Sequence, residues 1–225
     1  MKHVVIADRF DHIDAAGSSA GRRYLGVPKR VFDIVLALVI LPVVAPVLAL
    51  LWVLTRLDGG PGFFGQERVG KDGRRFTCWK LRTMVVDAER VLADLCAADP
   101  KVAEEWHVNQ KLAKDPRITG VGRFLRKSSL DELPQILNIL WGDMSFVGPR
   151  PFTVGQEHLY VAAGGTAYFH LRPGVTGSWQ IEGRGTTRFV DRVRFDEDYY
   201  AKACLGCDLR LIGKTFGVVL KGTGH

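Results

Sequence analysis

The acidic residues Asp131 and Glu132, together with nearby arginines, could form a site for a phosphate and a divalent cation. Arg126 precedes the pair, and Arg150 follows it between two prolines. Guanidinium groups bind phosphate through paired hydrogen bonds, and carboxylates bind cations such as Mg²⁺. Adjacent carboxylates repel each other unless a metal ion or an arginine neutralises one of them. The other carboxylate is then free to act as a nucleophile.

The same two acids have a simpler explanation as helix-capping residues. Apolar residues from Leu133 have helical spacing, which predicts a helix to about Trp141. Ser129 and Glu132 have the spacing of a capping box, so both acids are expected at its N-terminus. Acids there stabilise a helix by about 0.3 to 1 kcal/mol. Without the arginines, capping would be the better explanation.

One long apolar segment precedes this region and contains no charged residue from Ile34 to Leu54. Its length meets the criterion of roughly 20 residues for a membrane helix. Both flanks are basic, with Lys29 and Arg30 before the segment and several arginines after Leu54. The positive-inside rule therefore favours a cytoplasmic position for both ends.

Pro42 and Pro46 lie near the middle of the apolar segment. Each proline removes a backbone donor and clashes with the preceding turn, so the pair predicts a sharp bend. We therefore expect a re-entrant hairpin that dips into one leaflet. Two alternatives stay open: one kinked helix that crosses the bilayer, since spanning helices tolerate proline, and a buried core helix.

The rest of the chain predicts a mainly helical domain with a few short β-strands. Residues 57–84 alternate glycine-rich turns with short apolar stretches, which predicts one or two short strands in a compact hairpin region. Residues 85–112 change to helical spacing. We divide the chain into a flexible N-terminal arm (1–27), a re-entrant membrane helix (28–57) and a cytosolic catalytic domain (58–225). Two amphipathic stretches, Val190 to Tyr200 and the C-terminal LRLIGKTFGVVLKG, either lie along the membrane interface or pack on the domain.

Composition points to an anionic partner. The 225 residues carry a formal net charge of +7, which suits nucleic acid, a phosphorylated substrate or acidic lipid. Nucleic acid explains neither the apolar segment nor the acids beside Arg150, so we expect no nucleic-acid partner. The N-terminus lacks the basic start and apolar run of a secretory signal, so most of the chain is expected in the cytosol.

Among the four cysteines, only Cys204 and Cys207 are close enough in sequence to suggest a site. A single C-x-x-C lacks the second pair of ligands that a zinc site needs. We expect these cysteines to be small buried residues in a reducing compartment rather than a metal or redox site.

Several motifs occur in collinear order: KLRTM (80–84), DPRIT (115–119), SLDELPQ (129–135), GDMSFVGPRP (142–151) and RPGVTG (172–177). Together they resemble the bacterial sugar transferase family, the monotopic polyprenyl-phosphate phosphoglycosyl transferases, from about residue 29 to the C-terminus. Within this family the chain is most similar to the undecaprenyl-phosphate galactose phosphotransferases that initiate exopolysaccharide assembly. So many ordered motifs are far more specific than any single one.

This resemblance implies a two-step mechanism. Asp131 would attack the β-phosphate of a UDP-sugar, release UMP and carry the sugar phosphate covalently until undecaprenyl phosphate attacks it. Glu132 would hold Mg²⁺, with Asp131 as a second ligand, and the ion would stabilise the phosphoryl transition state. Four arginines match family positions near the phosphates: Arg82, Arg126, Arg150 and Arg184.

Two positions depart from the family pattern. The family breaks its re-entrant helix near a Ser-Pro, and here that position is Ala45-Pro46, so the bend would depend on Pro42 and Pro46. Gly185 stands where many relatives have asparagine, which leaves the sugar and nucleotide contacts of this loop undecided.

By the same resemblance we expect an enzyme at the cytosolic face of the bacterial inner membrane, with Mg²⁺ as its cofactor. Its partners would be a UDP-sugar donor, undecaprenyl phosphate and membrane lipid, and a homo-oligomer stays open. Galactose is favoured as the sugar, with glucose second. The alternative is a non-catalytic, basic, membrane-anchored partner protein in which the acids only cap a helix.

Overall fold

The computed structural model describes residues 19–109, 112–183 and 187–220. Within these ranges the chain is mostly helical with four short strands, which confirms the predicted fold class. The helices are α1 (Ser19–Leu25), α2 (Val27–Arg56), α3 (Ala88–Ala98), α4 (Pro100–Asn109), α5 (Gly120–Ser128), α6 (Gln135–Trp141), α7 (Glu157–Ala162), α8 (Ala167–His170), α9 (Arg192–Lys202) and α10 (Leu205–Leu220). The strands are β1 (Phe63–Val69), β2 (Arg75–Leu81), β3 (Ser145–Val147) and β4 (Gly174–Thr176).

The strands form two separate pairs. β1 and β2 are an antiparallel hairpin, as the glycine-rich stretch predicted, with Phe64 opposite Lys80 and Gln66 opposite Cys78. β3 and β4 are parallel and form the second pair. Directly opposed residues in an antiparallel pair project to the same face. Because side chains two residues apart on a strand also project to the same face, Lys80 and Cys78 share one face of the β-hairpin.

Helix α2 packs one face on the rest of the protein along its whole length. Its buried residues are Lys29, Asp33, Ala37, Leu51 and Thr55. Between them, partly buried side chains pack against other elements: Ile40, Leu41, Val44 and Leu48. This spacing traces one stripe of an α-helix. The opposite face is apolar and exposed: Val31, Val35, Leu38, Val39, Val43, Val47, Leu50, Val53 and Leu54.

The predicted hairpin is not confirmed. α2 is one helix that continues through Pro42 and Pro46, and both prolines lie on its exposed side. The helix is long and apolar enough to cross a membrane. Only 11% of its most apolar stretch is buried, which excludes a buried core helix. Packing along the full stripe holds the two halves of α2 on one domain, and this explains why the prolines do not reverse the chain.

The basic residues at the start of α2 contact protein. Lys29 Nζ lies 2.6 Å from Asp208 Oδ2 in α10, and both side chains are buried. Arg30 donates to the carbonyl oxygens of Ile139 and Leu140 in α6, the second at 2.8 Å. The sequence predicts these residues to be a basic flank in the cytoplasm. In the structure they fix the first turns of α2 to the domain.

The arm predicted for residues 1–27 lies partly outside the described residues. Its last part forms α1, which packs beside α2. Tyr24 donates its hydroxyl hydrogen to Asp208 Oδ2 at 2.6 Å. Tyr199 in α9 donates to the other oxygen of the same carboxylate at 2.7 Å. Asp208 thus joins three helices near the start of α2.

The two C-terminal helices pack on the domain through one face each. In α9, Tyr199 and Tyr200 are buried in an apolar cluster with Leu211 of α10. Leu209 and Phe216 of α10 are exposed. Packing therefore accounts for α9, and the exposed face of α10 leaves the interfacial prediction open.

The cysteines are predicted to be buried, but of the four only Cys78 is. Cys204 is exposed in the short connection before α10, and Cys207 is half-buried in the first turn of α10. Both are free thiols.

Candidate active site

Asp131 and Glu132 lie in the 3-10 turn Leu130–Glu132, between α5 and α6. Ser129 ends α5 with a φ of 58°, the left-handed conformation that often terminates a helix. The leucines on either side of the acids pack against a buried cluster. The cluster consists of Leu51 in α2, Leu81 in β2 and Leu125 in α5. Core packing on both sides therefore fixes the turn that carries the acids.

The predicted capping box is not formed. Ser129 makes no cap hydrogen bond with its side chain, because its backbone is the C-terminal cap of α5. α6 begins at Gln135, and Pro134 occupies its N-cap position. The acids therefore lie in the turn before the helix, and neither of them caps it.

Lys80 lies between the two carboxylates. Its Nζ is 2.7 Å from Glu132 Oε1 and 3.7 Å from Asp131 Oδ2. Burial raises the pKa of Asp131 above its usual range; the charge of Lys80 opposes this rise, and that of Glu132 adds to it. Lys80 is the first residue of the KLRTM motif, and the motif alone did not predict it as a site residue. Its position on β2, opposite Phe64 of β1, places the Lys80 side chain beside the two acids.

Arg150 contacts Glu132 from the other side, with Nη2 at 3.2 Å from Oε1. Glu132 thus has two cationic partners, Arg150 and Lys80, within hydrogen-bond distance. Within the part of the chain that the structure describes, Asp131 forms one ion pair, the longer one with Lys80. The two acids therefore differ in environment, since Glu132 is the better neutralised and Asp131 is the more buried.

Arg126 lies on α5 close to the acids. Its Nε donates to Thr83 Oγ1, just after β2, at 2.8 Å. Burial lowers the pKa of the Arg126 guanidinium, and the charge of Asp131 opposes that shift. The structure thus brings Arg126 and Arg150 to the acidic pair, as the motifs predicted.

Arg82, in contrast, is directed away from the acids. Its guanidinium donates to the carbonyl oxygens of Thr55, Pro61 and Met84 and forms an ion pair with Asp58. Hydrogen bonds from Arg82 hold the pKa of Asp58 well below its usual range, at about 2. Arg82 follows the last residue of β2, so the alternation that directs Lys80 no longer governs it. Arg82 thus ties the end of α2 to the β-hairpin, and its role as a phosphate ligand stays a prediction.

The remaining predicted site residue, Arg184, lies outside the described residues. The structure adds others that the motifs did not single out. A small pocket beside the acids is lined by Arg68, Cys78, Lys80, Glu132, Gln135, Arg150, Pro151 and Gly174. Two-residue alternation along β1 and β2 is the signal that could have located Arg68 and Lys80.

The pocket and the acids have the composition of a phosphate site. Arg68, Lys80 and Arg150 supply positive charge at the pocket, and Arg126 adds a fourth cation beside Asp131. Within the described ranges, no three His, Cys, Asp or Glu side chains lie close enough together to hold a metal ion by themselves. Mg²⁺ is commonly held by one or two carboxylates together with substrate phosphates. Asp131 and Glu132 fit that mode.

Comparison with known proteins identifies the family. Residues 24–222 match the model of the bacterial sugar transferase family. The chain belongs to this family. The undecaprenyl-phosphate galactose phosphotransferase of Salmonella typhimurium is 45% identical over 196 residues, covering 87% of this chain and 41% of that protein. The exopolysaccharide production protein ExoY of Sinorhizobium fredii is 43% identical over 200 residues, covering 88% of each chain.

Other members of the bacterial sugar transferase family carry a different sugar in their names. The UDP-glucose:undecaprenyl-phosphate glucose-1-phosphate transferase of Escherichia coli K12 is 38% identical over 203 residues, covering 86% of this chain and 40% of that protein. The chain thus spans about two fifths of the length of the Salmonella and Escherichia relatives but most of ExoY. The family and the subtype predicted from the motifs are confirmed.

Proposed function

We propose that the protein transfers a sugar 1-phosphate from a UDP-sugar to undecaprenyl phosphate, releases UMP and so initiates exopolysaccharide or other glycan assembly. The relatives named for sugar-phosphate transfer to this lipid support the reaction class. The observation that carries the proposal is the asymmetry of the acidic pair. Among the described residues, Lys80 and Arg150 lie within 3.2 Å of Glu132, while Asp131 is slightly more buried and its ion pair with Lys80 is longer, at 3.7 Å.

In the first step, a carboxylate oxygen of Asp131 attacks the β-phosphorus of the donor. The bond from that phosphorus to the bridging oxygen breaks, UMP leaves with the electron pair, and Asp131 holds the sugar phosphate as an acyl phosphate. In the second step, a phosphate oxygen of the lipid attacks the same phosphorus, and Asp131 leaves as a carboxylate. The product is the sugar joined to the lipid through a diphosphate.

Charge around the phosphates supplies most of the catalysis in this proposal. Lys80 and Arg126 favour the ionised form of Asp131, and Arg68 and Arg150 face the same pocket. Partial desolvation makes the carboxylate more reactive, since less water must be removed before it attacks. Glu132 and Asp131 would hold Mg²⁺, which would neutralise charge on the donor phosphates. Positioned cations are the main contribution that proteins make to phosphoryl transfer.

The exposed face of α2 suggests how the protein meets its lipid substrate. Lys29 ties the start of α2 to α10, and Thr55 near its end donates to the carbonyl oxygen of Gly62 at 3.3 Å. With both ends held on the same domain, α2 enters one leaflet through its apolar face without crossing. This arrangement takes the place of the predicted hairpin and seats the domain on the cytosolic face of the inner membrane. The exposed Arg23 and Arg56, near the two ends of α2, agree with that side.

An assay of UMP release tests the proposed function. Purified protein is incubated with undecaprenyl phosphate, Mg²⁺ and either UDP-galactose or UDP-glucose, and both UMP and the lipid product are measured. We expect release with at least one donor, galactose first, and loss of turnover in Asp131→Asn. Normal turnover of Asp131→Asn would exclude it as the nucleophile. A protein that binds vesicles but releases no UMP from any donor would be the non-catalytic partner instead.

A further inference from the structure

The segment Pro149–Phe152 carries Arg150 to the acidic pair, and its backbone is held through its carbonyl oxygens. Two of its four residues are prolines, which have no N–H to donate. Each carbonyl oxygen of the segment accepts a hydrogen bond. The donors, in order along the segment, are Gly174 N at 2.8 Å, Arg192 Nη2, Arg68 Nη1 at 3.3 Å and Val69 N at 3.1 Å.

Arg192, the donor to the Arg150 carbonyl, is a buried cation outside the pocket. Only 2% of the residue is exposed. Four aromatic rings surround its guanidinium, with centroids 5.1 to 5.9 Å from Cζ: Phe152, Tyr168, Trp179 and Phe189. Cation–π contacts of this kind stabilise a guanidinium that has lost its water.

The carboxylate nearest to Arg192 is a poor partner. Asp196 Oδ2 lies 3.7 Å from Arg192 Nε, beyond hydrogen-bond distance, and both side chains are buried. A buried charge whose ion pair is this long gains less than its desolvation costs. The closest contact of Arg192 is the carbonyl oxygen of Arg150. Stability alone is therefore a weak explanation for an arginine at this position.

We propose that Arg192 is a positioning residue that holds the backbone of Arg150, so that the Arg150 guanidinium reaches Glu132. Phe152 serves both ends of this link, because its ring packs on Arg192 while its backbone continues the segment. Displacing a catalytic group by about 1 Å can lower a rate about 100-fold. The inference rests on the proposed function, since Arg192 can affect catalysis only if Arg150 and the acidic pair form the active site.

A double-mutant cycle with Arg150 tests the proposal. Arg192→Lys keeps the charge but loses the planar fork that reaches the carbonyl oxygen. We expect it to lower kcat/KM for UMP release at least about tenfold, mainly through kcat, with the pH profile unchanged in shape. In an Arg150→Gln background the same substitution should change kcat/KM by less than about twofold, since the residue it positions is gone. Arg194→Lys, an exposed arginine on the same helix, is the control and should match the wild type.

A purely structural role predicts a different result. Arg192→Lys would then cost the same factor in both backgrounds, and that additivity would overturn the proposal. If Arg192→Lys does not fold, as judged by circular dichroism, Arg192→Gln, which keeps a planar N–H donor without the charge, takes its place in the cycle and is read by the same criterion. Wild-type protein that releases no UMP would refute the proposed function itself, before any variant is compared.

Discussion

Replacing Lys80 by methionine would test the electrostatic basis of the site. Methionine has a similar unbranched chain and no charge, so the change removes the ammonium with little loss of volume. The ammonium lies 2.7 Å from Glu132 and 3.7 Å from Asp131, and 22% of the side chain is exposed. We expect a large loss of activity in a folded protein.

Coulomb's law gives the size of the loss. Two unit charges about 4 Å apart interact by about 1 kcal/mol in water and about 4 kcal/mol at the effective dielectric constant near a protein surface. Lys80 is partly exposed, so its interaction with Asp131 should lie between these limits. Because about 1.4 kcal/mol corresponds to a factor of ten, kcat/KM should fall between roughly 5-fold and 1,000-fold.

The pH profile gives a second measurement on Lys80→Met. Burial raises the pKa of Asp131, and Lys80 is the strongest influence opposing that rise. Asp131 attacks as a carboxylate, so activity is lost as the pH falls through its pKa. Without Lys80 this pKa rises further, and the acid limb of kcat/KM should move to higher pH.

The assay compares UMP release by the wild type and Lys80→Met across the pH range in which both are folded. Lys202→Met, whose side chain is 74% exposed, is the control for loss of a lysine charge. An acid limb that stays in place in Lys80→Met would refute the reasoning about Asp131. A kcat/KM equal to that of Lys202→Met would remove Lys80 from the site.

Three further predictions concern stability. Arg82→Lys should lower the melting temperature but keep kcat/KM within about twofold, since Arg82 donates to carbonyl groups away from the acids. A larger loss of kcat/KM in folded protein would show that Arg82 belongs to the site. Lys29→Met should lower the free energy of unfolding by about 3 to 5 kcal/mol, because it leaves Asp208 buried without its cation; denaturant titration measures this, and no change would refute it. Burial raises the pKa of Asp196 to about 7 from its ordinary value of 3.8, so the folded state binds the proton more readily between these values. The melting temperature should therefore fall as the pH rises from 3.8 to about 7, and Asp196→Asn should lack that slope.

The sequence predicted those helices and strands whose residue spacing is visible over a short stretch of the chain. Helical spacing located α3, α4 and the helix that ends at Trp141, and alternating glycine turns located the hairpin. The ordered motifs predicted a site at the acids, Arg126 and Arg150, and the structure places these residues close together. These predictions were accessible because each depends on residues that are close in the chain.

The errors arose where distant parts of the chain decide the geometry. Arg82 and Lys80 are two residues apart in one motif, and only the end of β2 separates a tie to α2 from a site residue. The capping box failed because Ser129 terminates α5 rather than starting α6. The hairpin expected in α2 is not confirmed, since the helix continues through Pro42 and Pro46 and side chains from several other elements pack along its length.

The ion pair between Lys29 and Asp208 has a consequence for the order of folding during synthesis. Its partners are 179 residues apart, so the carboxylate is made long after the helix that it anchors. At about 5 to 20 residues per second, the interval is roughly 10 to 35 s. For most of that time α2 is complete and apolar, and Lys29 lacks its buried partner. A nascent chain that stalls before α10 would therefore carry a finished apolar helix with no anchor for its first turn, a species open to capture by lipid, chaperone or protease.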